Sequence, residues 1–205
     1  MRLFGERALL IEIARRPSVR VALRVAGLAA ALERLAGVEA VVPAATSVLV
    51  EVNGVEEHVL AAAARAALAK PVTSGTWREH ALAARFGGED GPDLEETARL
   101  AGMSPETLID LLASTRLTVA FIGFAPGFPY LIGLPRCLAL PRLATPRVRV
   151  PAGSVALADG WAGIYPRATP GGWRLIGRTD EPLFDPTADP PARLAPRDRV
   201  RFIVT

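Results

Sequence analysis

Proline and glycine crowd residues 123–178, and that crowding limits the fold more than any other feature of the chain. The stretch reads G-F-A-P-G-F-P-Y-L (123–131), P-R-L-A-T-P-R (141–147), V-P-A-G-S-V (150–155), G-I-Y-P (163–166) and P-G-G-W-R-L-I-G-R-T (170–179). Proline fixes φ and removes a backbone donor; glycine allows positive φ and close backbone approach. Neither a long helix nor a row of plain strands survives that density. Short strands joined by rigid, individually shaped turns do. Turns that carry Tyr, Trp, Ser and Arg suit a binding surface. The same turns would equally serve to close a small β-barrel.

The chain has 205 residues, half of them hydrophobic, which is enough for one large domain or two small ones. Charged residues make up 22%, so disorder is not expected. The net charge is only +3, and Lys70 is the sole lysine. No basic run is interleaved with aromatics, which argues against nucleic acid as a partner. The single cysteine, Cys137, permits no intrachain disulfide and fits a reducing, cytoplasmic location. Glu6 and Glu12 interrupt any apolar core near the start, so no signal peptide is expected. Residues 117–135 are uncharged and long enough to span a bilayer. Pro126, Pro129, Pro135, Gly123, Gly127 and Gly133 would break such a helix, so no membrane partner is expected.

Taken in order, residues 8–14 read as a strand. Residues 19–35 show helical spacing behind a Ser18 cap, with Gly37 as a stop. Residues 38–42 and 47–52 read as strands, and 55–69 as an alanine-rich helix ending before Pro71. Residues 73–86 hold a further extended run. That β-α-β-β-α-β order predicts a small ferredoxin-like domain over residues 1–78. The turn G-G-E-D-G-P (87–92) precedes D-L-E-E, which predicts a capping box between Asp93 and Glu96. Ser104-Pro105 then starts a second helix, giving a helical segment at about 93–115. Leu108, Leu111 and Leu112 are expected to pack inward. Residues 117–124, 148–157, 174–179 and 200–204 read as strands of a barrel filling 79–205, so the fold class is α+β.

The sequence has no G-x-x-x-x-G-K-[ST], no H-E-x-x-H and no G-x-S-x-G. Cys137 and two scattered histidines, His58 and His80, form no metal spacing, so no metal site is predicted. What remains is arginine, carboxylate, hydroxyl and backbone. Guanidinium groups suit bidentate capture of carboxylate or phosphate. Arg147 and Arg178 sit beside rigid turns, whereas Arg149, between two valines, is expected to face solvent. Ser154, after Gly153, suits either an anion pocket or a turn cap. Tyr165 and Trp173 in turns suit a recognition surface.

These motifs together resemble the KipI/PxpB family, also known as allophanate hydrolase subunit 1 and as subdomain C and D of the carboxyltransferase module of urea carboxylase. The resemblance covers nearly the whole chain and is strongest from Gly87 onward. It implies a small α+β domain followed by a cyclophilin-like β-barrel. It implies a hetero-oligomer with a KipA/PxpC-type second subunit, forming an ATP-dependent 5-oxoprolinase that opens an amide ring, with ATP and Mg handled at the level of the complex. It implies a small carboxylate substrate, for which the candidate binding residues are Pro126, Gly127, Phe128, Arg147, Gly153, Ser154, Tyr165, Gly172, Trp173 and Arg178. No catalytic residue is assigned. Other members inhibit a sporulation histidine kinase, or help to carboxylate urea, and both remain alternatives. Relatives commonly carry His after the Leu at 111 and Tyr near 117 and 120; here stand Leu112, Leu117 and Ala120. With one lysine and no serine-rich segment, the chain lacks a Ser-Ser-Lys amidase centre, so it is not expected to hydrolyse allophanate alone.

Overall fold

Alternating burial along each strand decides which face of each sheet is the core. In the computed structural model, which describes residues 2–4, 7–71 and 77–205, the chain forms two compact units, Met1–Trp77 and Arg78–Thr205. The first runs β1 (Arg2–Leu3), β2 (Ala8–Glu12), α1 (Val19–Leu32), β3 (Val38–Pro43), β4 (Ser47–Val52) and α2 (Glu57–Ala69). Val48 and Val50 of β4 are fully buried with Leu9 and Ile11 of β2. Val25, Leu28 and Leu32 on one stripe of α1, and Leu60 of α2, complete that core. Ser18 caps α1, its hydroxyl accepting from the Val21 amide at 3.2 Å. The helix ends at Leu32, earlier than the pattern predicted, and Gly37 at φ +82° leads into β3 instead.

The sheet order is β1-β2-β4-β3, all antiparallel. The strand expected to complete a ferredoxin-like unit is not in it. Residues 73–76 of that run lie outside the described residues. The rest forms β5 (Glu79–Phe86) in the second unit, and β1 occupies the sheet position beside β2. The reason is side-chain fit. Leu82 and Ala84 alternate with exposed neighbours and enter the core of the second unit.

After β5 the second unit continues with α3 (Leu94–Ala101), α4 (Pro105–Ser114), β6 (Leu117–Ile122), β7 (Pro129–Ile132), β8 (Arg147–Val150), β9 (Ser154–Ala158), β10 (Trp161–Ile164), β11 (Thr169–Gly171), β12 (Arg174–Arg178) and β13 (Arg199–Val204). Seven strands close a barrel in the order β10-β7-β6-β13-β5-β12-β9. β13 runs parallel to β5, from Arg199 opposite Glu79 to Val204 opposite Ala84. Leu82, Val119, Leu131, Val155, Leu157, Ala162, Ile164, Ile176 and Phe202 fill the inside. Closure leaves no free sheet edge, which suits strands this short.

Residues 148–157 are not one barrel strand. Pro151 and Gly153 break them, so that β9 enters the barrel while β8 pairs with β11 as a separate two-stranded ribbon. α4 starts as its sequence predicts: Pro105 holds the first position and the Ser104 hydroxyl accepts from the Thr107 amide at 3.2 Å. Leu108 and Leu112 are fully buried, and Leu111 is partly so. α3 ends on Gly102 at φ +75°. The capping box does not form. The Asp93 carboxylate turns away from its own helix, and Glu96 lies 3.4 Å from Arg174.

Leu112, Leu117 and Ala120 all lie in the interior of this unit. A histidine or tyrosine at these positions would need a buried hydrogen-bond partner, and leucine and alanine need none. A second buried carboxylate, Asp198, ties the start of β5 to the turn before β13. It accepts from the Arg78 amide (2.9 Å), the Ala195 amide (3.1 Å) and the His80 ring (2.9 Å). His80 is therefore part of a buried latch. Among the described residues no helix is long and apolar enough to cross a membrane.

Candidate functional site

The outside of the barrel, over β6, β7, β10, β9 and β12, carries a face of aromatic rings. Strand alternation puts it there. Ala162 and Ile164 of β10 point into the barrel, which leaves Trp161 and Gly163 outside. Leu131 points in and Tyr130 out. Ala156 and Leu175 form the floor of a separate cluster with Phe128, Tyr165, Val150, Tyr130 and Trp173. Val150 belongs to the β8–β11 ribbon, so the ribbon covers part of this outer face.

The rings form a continuous network. Phe121 and Tyr130 stack at 4.3 Å. Tyr130 meets Trp161, Trp173 and Phe128 edge-on at 5.9, 5.6 and 5.2 Å. Phe128 in turn meets Trp173, Tyr165 and Phe124 edge-on at 5.6, 5.1 and 5.4 Å. Each such pair contributes about 0.5–1.5 kcal/mol beyond its burial. Gly163 makes the packing possible, because a Cβ there would lie 2.6 Å from Phe128 Cζ and 2.9 Å from Trp173 Cζ3. Gly171 likewise leaves room for the Tyr165 hydroxyl.

Burial raises the Tyr130 and Tyr165 hydroxyls above the ordinary tyrosine range. For Tyr165 the nearby Arg147 charge and a hydrogen bond from the Trp173 backbone pull the other way, and burial prevails. Arg147 stands at this face with its side chain 30% exposed, and its Nη2 donates to Asp93 Oδ1 at 2.7 Å. Asp93 Oδ2 accepts from the Leu175 amide at 2.7 Å, so the carboxylate fixes the guanidinium against β12. Arg147 is thus a pre-oriented cation beside aromatic rings, a pairing that holds planar or carboxylate groups.

The ten predicted site residues divide into two sets. Phe128, Arg147, Tyr165 and Trp173 come together at the aromatic face, and Pro126, Gly127 and Gly172 lie in the chain beside Phe128 and Trp173. Gly127, at φ +77°, backs onto Phe184, and Gly172 accepts from the Leu143 amide at 2.7 Å while packing on Pro146. Gly153, Ser154 and Arg178 form the other set, where β9 crosses β12. Ser154 is opposite Arg178 and only 2% exposed, so its hydroxyl lines no surface pocket. Gly153 has a structural duty there: its amide donates to Tyr165 (2.7 Å), its carbonyl accepts from Thr179 (2.9 Å), and a Cβ would collide with Thr179. Arg85 binds Asp180 at 2.7 Å and holds its carboxyl below the usual range, with a smaller contribution from Arg178. Arg149 is exposed, as expected.

Phe121, Phe124, Tyr130, Trp161 and Asp93 belong to the site although their motifs singled out other residues. Period-two alternation in W-A-G-I is the sequence signal that places Trp161 on the face of Gly163. Among the described residues, hollows also lie elsewhere. One of about 350 Å³ is lined by Arg7, Gly54 and Glu56, and one of about 200 Å³ by Arg85, Asp180 and Glu181. Neither includes a motif residue.

Comparison with known proteins gives this arrangement its relatives. The B subunit of 5-oxoprolinase from Escherichia coli O157:H7 is 51% identical over 118 residues, which is 58% of this chain and 54% of that protein. The matched stretch thus spans about half the length of that relative. The crystal structure of TTHA0988 superposes with a TM-score of 0.84 at 33% identity, covering 98% of this chain and 40% of that one. PH0987 from Pyrococcus horikoshii, at 34% identity and a TM-score of 0.61, is covered to 95%, as is 98% of this chain. The model of the carboxyltransferase domain, subdomain C and D, matches residues 1–194. A match over that span, on a barrel built as these motifs require, makes the chain a member of the carboxyltransferase domain, subdomain C and D, family.

Proposed function

We propose that this chain is the B-type subunit of an ATP-dependent 5-oxoprolinase and acts with a KipA/PxpC-type second subunit. The observation that carries the reading is the 51% identity, over 118 residues, to a protein of that name. Opening the lactam adds one water across its C–N bond and yields glutamate. The aromatic face has groups suited to such a substrate. Trp173, half-buried, offers flat apolar surface to the five-membered ring, with buried Tyr165 packed in the same ring network, and Arg147 offers a fixed guanidinium to its carboxylate. Pro126, Gly127, Phe128 and Gly172 shape the turns around them.

The barrel, read as cyclophilin-like, forms one wall of a cleft that the second subunit completes. ATP with Mg is assigned to the complex and not to this chain. The glycine-rich turn before α3 carries Glu95 and Glu96 in the first helical turn, which repel a phosphate. The test is ATP hydrolysis by this chain co-expressed with its neighbouring subunits. Stimulation by 5-oxoproline that requires this chain is the expected result. Turnover dependent on a biotinylated partner instead would place it in a carboxyltransferase system.

A further inference from the structure

We infer that Asp93 is a positioning residue, planted behind Arg147 by the G-G-E-D-G-P turn, and that through Arg147 it sets how tightly the substrate's carboxylate is held. The inference rests on the subunit reading above and deepens it, giving the glycine-rich turn a task at the aromatic face. The backbone of this turn is stitched to β12. The Gly87 amide donates to the Ile176 carbonyl at 3.1 Å, and the Asp93 amide to the Leu175 carbonyl at 2.9 Å. The Leu175 amide donates back to Asp93 Oδ2 at 2.7 Å, so residue 93 grips the strand in both directions. Gly87 takes φ +78°, and a Cβ at Gly91 would collide with the Ile176 carbonyl, so the close approach needs both glycines.

A carboxylate at this place calls for a reason. Asp93 is only 7% exposed and makes no cap bond to its own helix. A neutral acceptor such as asparagine would serve the Leu175 amide equally. A buried charge costs desolvation that an opposite charge must offset, and Arg147 Nη2, 2.7 Å from Oδ1, supplies that charge. The pair is one-pronged. An ion pair that served stability alone would gain most from a two-pronged fork, both carboxylate oxygens meeting one guanidinium. Here Oδ2 goes to the strand instead, and Arg147 Nη1 is buried with no acceptor among the described residues. A buried donor left without a partner in its own chain marks a place for a further acceptor. Arg147, its side chain 30% exposed and its charge felt at Tyr165, is thus gripped by one edge and keeps donors for another anion. A carboxylate-bearing lactam requires that arrangement, a cation fixed before the substrate arrives.

The experiment is steady-state ATP hydrolysis by the complete complex, titrated with 5-oxoproline, for wild type, Asp93→Asn, Arg147→Gln and the double variant. Asparagine is isosteric with aspartate and keeps an acceptor for the Leu175 amide, so the complex should assemble. Asp93→Asn should raise KM about tenfold or more, with a smaller change in kcat. Arg147→Gln should raise KM further. The double variant should match Arg147→Gln alone within about twofold, because Asp93 acts through that guanidinium. With wild-type stimulation present, a KM for Asp93→Asn within about twofold of wild type overturns the inference alone. So does a double variant whose losses multiply, which would make Asp93 a residue of the fold and not of the site. If 5-oxoproline does not stimulate the wild-type complex, the subunit reading falls and the inference falls with it.

Discussion

Replacing Gly163 by alanine tests the aromatic face with one methyl group. The new Cβ would stand 2.6 Å from Phe128 Cζ, 2.9 Å from Trp173 Cζ3 and 3.0 Å from Phe128 Cε1. Ordinary contact begins near 3.4 Å, so the Phe128 ring must retreat by about 0.8 Å. It has nowhere easy to go, since Tyr165, Tyr130 and Trp173 all stand within 5.6 Å of its centroid. Overpacking of this kind costs about 2–3 kcal/mol, which for a chain of this size lowers Tm by roughly 5–10 °C. Phe128→Leu shortens the obstructing ring, so the double variant should lose about 1–2 kcal/mol less than the two single losses combined. Urea unfolding followed by near-ultraviolet circular dichroism reads both quantities, because the signal comes largely from these rings. A Gly163→Ala variant within about 0.5 kcal/mol of wild type, or strict additivity in the double variant, would show that the rings do not pack as described.

The chain has two tyrosines, Tyr130 and Tyr165, and burial raises both hydroxyls. Absorbance at 295 nm should therefore show less than half of the folded-state tyrosine ionised at the ordinary midpoint near pH 10. Because the folded-state value is raised, the stability these groups contribute is complete below that pH and is lost as pH climbs through the folded-state value. Tyr165→Phe should reduce that alkaline loss. Asp198→Ala leaves the Arg78 and Ala195 amides and the His80 ring without their acceptor, and should cost about 3 kcal/mol in urea unfolding. Asp93→Asn should loosen Arg147 while keeping an acceptor for the Leu175 amide, costing about 1–2 kcal/mol by the same assay.

Features governed by neighbours in sequence were legible in the residues. Ser104 and Pro105 start α4, Gly102 stops α3, and Ser18 caps α1, each through contacts within one turn. The capping box at Asp93 failed because distant groups compete for the same carboxylate. Leu175 lies 82 residues away and Arg147 lies 54 away, and a buried charge-assisted pair outweighs a local cap. The placement of β5 was hidden for the same reason. Its pattern fits a strand in either unit, and its parallel partner β13 is the last strand described. Residues 148–157 likewise read as one barrel strand, since nothing in the V-R-V that opens them tells a ribbon from a barrel. The aromatic face was half legible. Turn chemistry exposed Tyr165 and Trp173, while Phe121, Tyr130 and Trp161 emerge only when closure gives each strand an inside and an outside.

Glutamate formed per ATP consumed, with and without this chain, tests the proposed role most directly. The complete complex supplied with 5-oxoproline should release glutamate and ADP together, and omission of this chain should abolish both. Equal glutamate formation in its absence would contradict the assignment.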